Sequence, residues 1–210
     1  MSLPNFREPL LIEIELARQI NVAVYEMLPC TNGGDERADL SSALAHIALE
    51  HIGSILSLFA NGAFASGYAL MRPALETTYR CVWIAQVADD AKVAKAFMGR
   101  DVYGDLKDVI GDIETRFAGN GWAPTFSRIR PHIRALHERT HSGREQTLRR
   151  LRAQDMRTPE YDFAELVRDI RTLAAAAILV VIPIADQEDV GKLNALMIAN
   201  YSFVGETNAV

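Results

Sequence analysis

The sequence predicts an all-α fold, a single multi-helix bundle of about eight or nine helices, on three observations. Every periodic stretch has the helical repeat. No stretch alternates apolar and polar residues between hairpin turns. And Gly62 to Asp90 is mostly apolar all round, as a helix packed on several sides must be, so the long central helix belongs around residues 63–88. A chain of 210 residues is large enough for one domain, 1–210, with a substantial core.

The first helix is expected from Phe6 to Leu28, with Leu10, Ile14, Ala17, Asn21, Val24 and Leu28 on one face. Pro29 and Asn32-Gly33-Gly34 end it. Asp39, Ser41 or Ser42 can cap the second helix, which runs to Ala60 and stops at Asn61-Gly62. Its apolar face is read as Leu44, Ile47, Ile55 and Leu58, interrupted by His51, with His46, Glu50, Ser54 and Ser57 as a polar line. The short break at Asn61-Gly62 makes the second and third helices antiparallel neighbours. Pro73 removes a backbone donor from the central helix, so a kink is expected near Ala69.

Asp89-Asp90 ends the central helix and caps a short one, Ala91 to Met98. A helix from Asp101 to Phe117 follows, then a loop in which Trp122 anchors Ala118 to Pro124. Pro131 to Arg139 reads as a helix, Thr140 to Gly143 as a break, and the chain to Ala153 as a further helix. Asp162 with Glu165 resembles a capping box and opens a long helix through Ala174–Ala177 to about Ile182. That helix is apolar all round after Arg171, which places it inside the bundle or at a subunit interface. A last helix is expected from Asp186 to Tyr201.

A net charge of −5 argues against general affinity for nucleic acid or membranes, while leaving room for a local basic patch. Cys81 lies in the apolar helix as a buried free thiol, and Cys30 is the other cysteine. The N-terminal segment has no basic region followed by an apolar core, and the run Leu173–Ala185 is too short to cross a bilayer. A reduced, cytoplasmic location without membrane contact is the expectation.

Arg72, Glu76 and Arg80 fall at i, i+4 and i+8 of the central helix and stack on one face, beside Tyr79 and Trp83. The plain reading is a set of ion pairs holding helices in register. The sharper one is a pocket whose arginines bind carboxylate or phosphate, walled by Tyr79 and Trp83. Across the hairpin, the His46/Glu50 line is placed to face this ladder. His46 with Glu50, and Glu138 with His141, have metal-ligand spacing, but the carboxylate set of a di-iron bundle is incomplete, so neither a metal nor another cofactor is expected. Nucleotide-binding glycine loops and nucleophile elbows are absent.

From Arg128 to Arg157 the composition changes to nine arginines, no lysine, and only Glu138, Glu145 and Asp155 as acids. RNA is the partner such a segment would attract. Within it, Arg134 can neutralise a phosphodiester while His141 moves a proton at a 2′-hydroxyl or its leaving group. The structural alternative is a solvated arginine-rich helix pair.

Two resemblances rest on these residues. The block R-P-x-x-E-x-x-x-R-x-x-W (Arg72, Pro73, Glu76, Arg80, Trp83) and the later T-H-S-G (Thr140 to Gly143) resemble a family of uncharacterised bacterial all-helical proteins, in order and spacing over most of the chain. That family brings no activity with it. The spacing of Arg134 and His141, with six residues between, is similar to the signature of the HEPN superfamily, helical bundles that include many RNases. Ala135 stands where those proteins often carry a polar residue. The HEPN likeness implies a homodimer whose two motifs share a cleft, with Arg134 on phosphate and His141 in proton transfer.

Two functions are therefore carried forward. One is a HEPN-like RNA-binding protein or metal-independent ribonuclease using Arg134 and His141. The other is a non-enzymatic ligand-binding or assembly protein in which Arg72, Glu76, Tyr79, Arg80, Trp83, His46 and Glu50 form a buried network or pocket.

Overall fold

The computed structural model describes residues 7–29, 33–119, 144–153, 161–181 and 192. Among them are seven helices and no strand: α1 (Arg7–Met27), α2 (Glu36–Ala60), α3 (Phe64–Gln86), α4 (Asp90–Phe97), α5 (Leu106–Arg116), α6 (Arg144–Arg152) and α7 (Phe163–Leu179). The helices expected over 131–139 and 186–201, the break at 140–143 and the Trp122 loop lie outside the described residues.

The α2–α3 hairpin is the frame. Helix α2 ends in a Schellman turn, with Ala63 N donating to Leu58 O at 2.8 Å and Gly62 N to Phe59 O at 3.0 Å. Gly62 takes φ 75°, a left-handed conformation that glycine adopts without strain. At the other end, Arg37 on α2 donates to the carbonyls of Ile84 (2.6 Å) and Ala88 (2.7 Å) and to Asp90 Oδ1 (2.7 Å). One side chain thus closes the C-terminus of α3 and ties the start of α4 to α2, and the helices run antiparallel. Helix α3 continues through Pro73 as one element.

Close approach within the hairpin depends on Gly67. A Cβ there would lie 2.4 Å from the Phe59 ring, which is buried beside Phe64 and Tyr68 with ring centroids 5.5 and 5.2 Å away. Helices α1 and α7 pack on this frame and on each other, and α5 covers α3. The α1–α7 contact includes a bidentate ion pair, Arg171 Nη2 to Glu13 Oε1 at 2.6 Å and Nε to Oε2 at 3.1 Å. Helix α7 is buried along Leu173, Ala174 and Ala176 to Leu179, as its all-apolar composition requires. Cys81 lies where α2, α3 and the end of α7 meet, 3.3 Å from Ser41 O; burial pushes its thiol up to about 12, so the reactive thiolate is suppressed.

Three local readings change. Helix α2 is capped by Asp35, which accepts from Ala38 N at 2.9 Å. Asp39 instead accepts from Gly33 N and Gly34 N, while Ser41 and Ser42 are buried. The buried face of α2 is Ala45, Ala48, Leu49, Ile52, Ile55, Leu56 and Phe59, leaving Ile47 45% exposed. Small alanines weigh little in a hydrophobic pattern, yet they let neighbouring helices come close. Helix α5 begins at Leu106 rather than Asp101, because Asp101 Oδ1 accepts from Tyr103 N (3.2 Å) in an Asx turn and Gly104 takes φ 62°. By length and composition α2 is the one described helix that could cross a membrane; here it packs against α1, α3, α4 and α7.

Candidate functional site

Helices α1 and α2 enclose a groove of about 530 Å³ lined by Asn21, Tyr25, His46, Leu49, Glu50 and Gly53. Asn21 forms its floor, only 8% exposed on the otherwise apolar face of α1. Its Nδ2 donates to Leu49 O at 3.3 Å, and Gly53 makes room, since a Cβ there would lie 3.4 Å from Asn21 Nδ2. A carbonyl can only accept, so this bond fixes which way the amide faces. Asn21 Oδ1 is then left buried with no hydrogen-bond partner. Such an orphan costs about 1–3 kcal/mol unless something donates to it.

At the rim, His46 Nε2 lies 3.0 Å from Pro29 O and must donate to it, which leaves Nδ1 as the acceptor of the neutral ring. The Tyr25 ring meets His46 edge-on, with centroids 5.0 Å apart. Glu50 is exposed and has no ion-pair partner among the described residues. Among the described residues no Lys or Arg lines the groove.

The ladder on α3 is arranged otherwise. Arg72 Nε donates to Glu76 Oε1 at 2.7 Å within the helix, with both side chains part-exposed. Tyr79 is fully buried, a core residue rather than a pocket wall. The Arg80 guanidinium lies 4.9 Å over the Tyr103 ring, and burial raises the Tyr103 phenol above its ordinary range. Trp83 Nε1 donates to Asp112 Oδ2 at 3.0 Å, while Lys92 Nζ sits 5.2 Å over the indole. The contacts of this group fasten α3 to α4, α5 and the segment before α5. His46 and Glu50 turn to α1 instead, so the two polar lines do not meet across the hairpin as the sequence suggested.

A second polar cluster, absent from the sequence reading, joins α3, α6 and α7. Asp169 is 1% exposed and accepts from the Tyr68 hydroxyl at 2.9 Å. Tyr68 stacks on Tyr161 at 6.0 Å, and Arg149 lies 4.9 Å over that ring while gripping both oxygens of Glu165 at 2.7 and 3.0 Å. Asp162 caps α7 through Glu165 N at 2.8 Å, which leaves the Glu165 carboxylate to Arg149. Among the described residues no three His, Cys, Asp or Glu side chains gather into a metal-binding group.

Residues 45–202 match the family of unknown function DUF6988, three quarters of the chain. The chain belongs to that family. No curated protein and no solved structure matches it. The DUF6988 match takes in His46, Leu49, Glu50 and Gly53 of the groove together with the whole of α3, whereas Asn21 and Tyr25 precede it. Arg134, His141 and the T-H-S-G block fall within the match but outside the described residues, so the structure places neither member of that pair.

Of the residues singled out in sequence, the structure brings His46 and Glu50 together in the groove, and Arg80 and Trp83 around Tyr103. Sequence reasoning missed Asn21 as a site residue although it placed Asn21 on the buried face of α1. An amide among Leu10, Ile14, Ala17 and Val24 was the available signal. Asp169, at a core-facing position between Leu166, Ile170 and Leu173, is the equivalent signal on α7.

Proposed function

We infer that this protein is a non-enzymatic ligand-binding bundle whose binding site is the groove between α1 and α2. The observation that carries this is the buried, partnerless Asn21 Oδ1 at the floor of a cavity of ligand size. Buried polar groups are as a rule satisfied within a protein, so an acceptor left without a donor in a residue that lines a cavity is where a ligand's donor would bind. A thermal-shift screen of small molecules on wild type and Asn21→Leu tests it. Ligands that raise the wild-type Tm and leave the variant unmoved support the reading. Hits that stabilise both proteins equally overturn it.

A second reading, an RNA-directed ribonuclease of HEPN type working as a homodimer, is favoured by the arginine concentration over residues 128–157 and by the exposure of Arg150 and Arg152 on α6. Arg134 would hold phosphate and His141 would transfer the proton. Cleavage of structured and single-stranded RNA in EDTA is the test. Activity abolished by Arg134→Ala and by His141→Ala, at unchanged Tm, supports this reading; an inert wild type counts against it.

A further inference from the structure

We propose that the α1–α2 groove receives an organic cation bearing N–H donors, a primary ammonium or guanidinium group on a small apolar or aromatic body. This rests on the reading of the groove as a ligand site and names the chemistry it selects. Among the described residues the polar lining is short of donors. Asn21 Oδ1 is a buried acceptor without a partner, the amide's own nitrogen being committed to Leu49 O. The one nitrogen of His46 seen to donate is committed to Pro29 O, which leaves an acceptor on the neutral ring.

Charge narrows the class further. Glu50 brings a carboxylate with no ion-pair partner among the described residues, and none of the described lining residues is a Lys or Arg to set against it. An anionic ligand would meet Glu50 as a like charge. A neutral donor would serve Asn21 but leave Glu50 uncompensated. A quaternary ammonium would compensate Glu50 but offer Asn21 no hydrogen. Only a cation that also carries N–H groups answers both, by a charge-assisted hydrogen bond.

The walls suit the rest of such a molecule. Leu49 is apolar, and the half-exposed Tyr25 ring presents a face on which a cation or an aromatic body can lie. A volume of about 530 Å³ holds a molecule of several heavy atoms rather than a lone ion.

The experiment titrates the ¹⁵N-labelled full chain with four probes of like shape: benzylammonium, benzyltrimethylammonium, benzyl alcohol and benzoate. Benzylammonium is expected to give saturable shifts of the Asn21 side-chain amide and the Gly53 backbone amide. Binding of the other three is expected to be weaker by about ten-fold or more, and Glu50→Gln to weaken benzylammonium by a similar factor. Glu50 is exposed, so this variant should retain the wild-type Tm, which is measured alongside. Groove shifts of equal affinity with benzyl alcohol or benzoate, or unaltered benzylammonium binding by Glu50→Gln, would overturn the cation assignment while leaving a ligand groove in place. Shifts with none of the four probes up to their solubility would overturn both readings.

Discussion

Between α3, α6 and α7 the carboxylates are met by donors, and among the described residues the buried atom there that lacks a hydrogen bond is a donor, Arg149 Nε. Between α1 and α2 it is an acceptor, Asn21 Oδ1, in a residue that lines a groove. The Tyr68 hydroxyl has Asp169, and Arg149 has both oxygens of Glu165 with the Tyr161 ring beneath it. In the groove, Asn21 Oδ1 has nothing. Both regions bury polar atoms in a helical bundle, and residue type does not separate them. The difference lies in which kind of atom is left over and in whether a groove adjoins it, and it distinguishes a device for fixing helix positions from a place where a ligand can enter.

Four substitutions test that contrast. Asp169→Ala should be the most damaging, since it leaves the Tyr68 hydroxyl buried without its acceptor and opens a void; a loss of about 3 kcal/mol is expected in urea unfolding, with Asp169→Asn recovering part of it. A loss under 1 kcal/mol would mean the cluster is not what holds α7 on α3. Next, Gly67→Ala drives a methyl into the Phe59 ring at the hairpin seam. The gain in helix propensity, about 1 kcal/mol, offsets only part of the overpacking, so a net loss of about 1–2 kcal/mol should appear as a lower denaturation midpoint.

Asn21→Leu should behave in the opposite sense to Asp169→Ala. Removing an unsatisfied acceptor leaves stability within about 1 kcal/mol of wild type, or slightly above it, while ligand-induced stabilisation disappears. A destabilisation matching that of Asp169→Ala would make Asn21 one more structural residue and dissolve the comparison. Smallest of all, Glu76→Gln breaks a part-exposed ion pair within one helix and should cost about 0.3 kcal/mol, at the edge of calorimetric detection.

The sequence foretold those elements that depend on local chemistry. Asp89 and Asp162 act as caps where their positions before apolar runs implied, and Asn61-Gly62 makes the turn expected of it. The apolar stripe of α1 was legible, Asn21 included, with the fully buried Ile20 the one member missed, because one face of one helix faces one core. Helix α2 was not, since it touches several neighbours and its buried surface is built partly on alanines. The partnership of polar lines was illegible for a related reason. Spacing places His46 and Glu50 on one face, but which helix that face meets is decided by the packing of all the others. Likewise Glu165 was readable as part of a capping box, while its carboxylate belongs to an arginine sixteen residues earlier.

The Arg37 clasp carries a consequence for how this protein opens. Helix ends usually fray first, and amide protons there exchange with solvent fastest. Here the C-terminal carbonyls of α3 are held by a guanidinium rooted in the first turn of α2, and the same group reaches Asp90 in α4. The last turn of α3 therefore cannot loosen without releasing the beginning of α2. Deuterium uptake across the end of α3 and the start of α4 should rise in step with that of the first turn of α2, as one cooperative unit. In Arg37→Ala those segments should exchange independently, the two ends of the hairpin no longer keeping the same time.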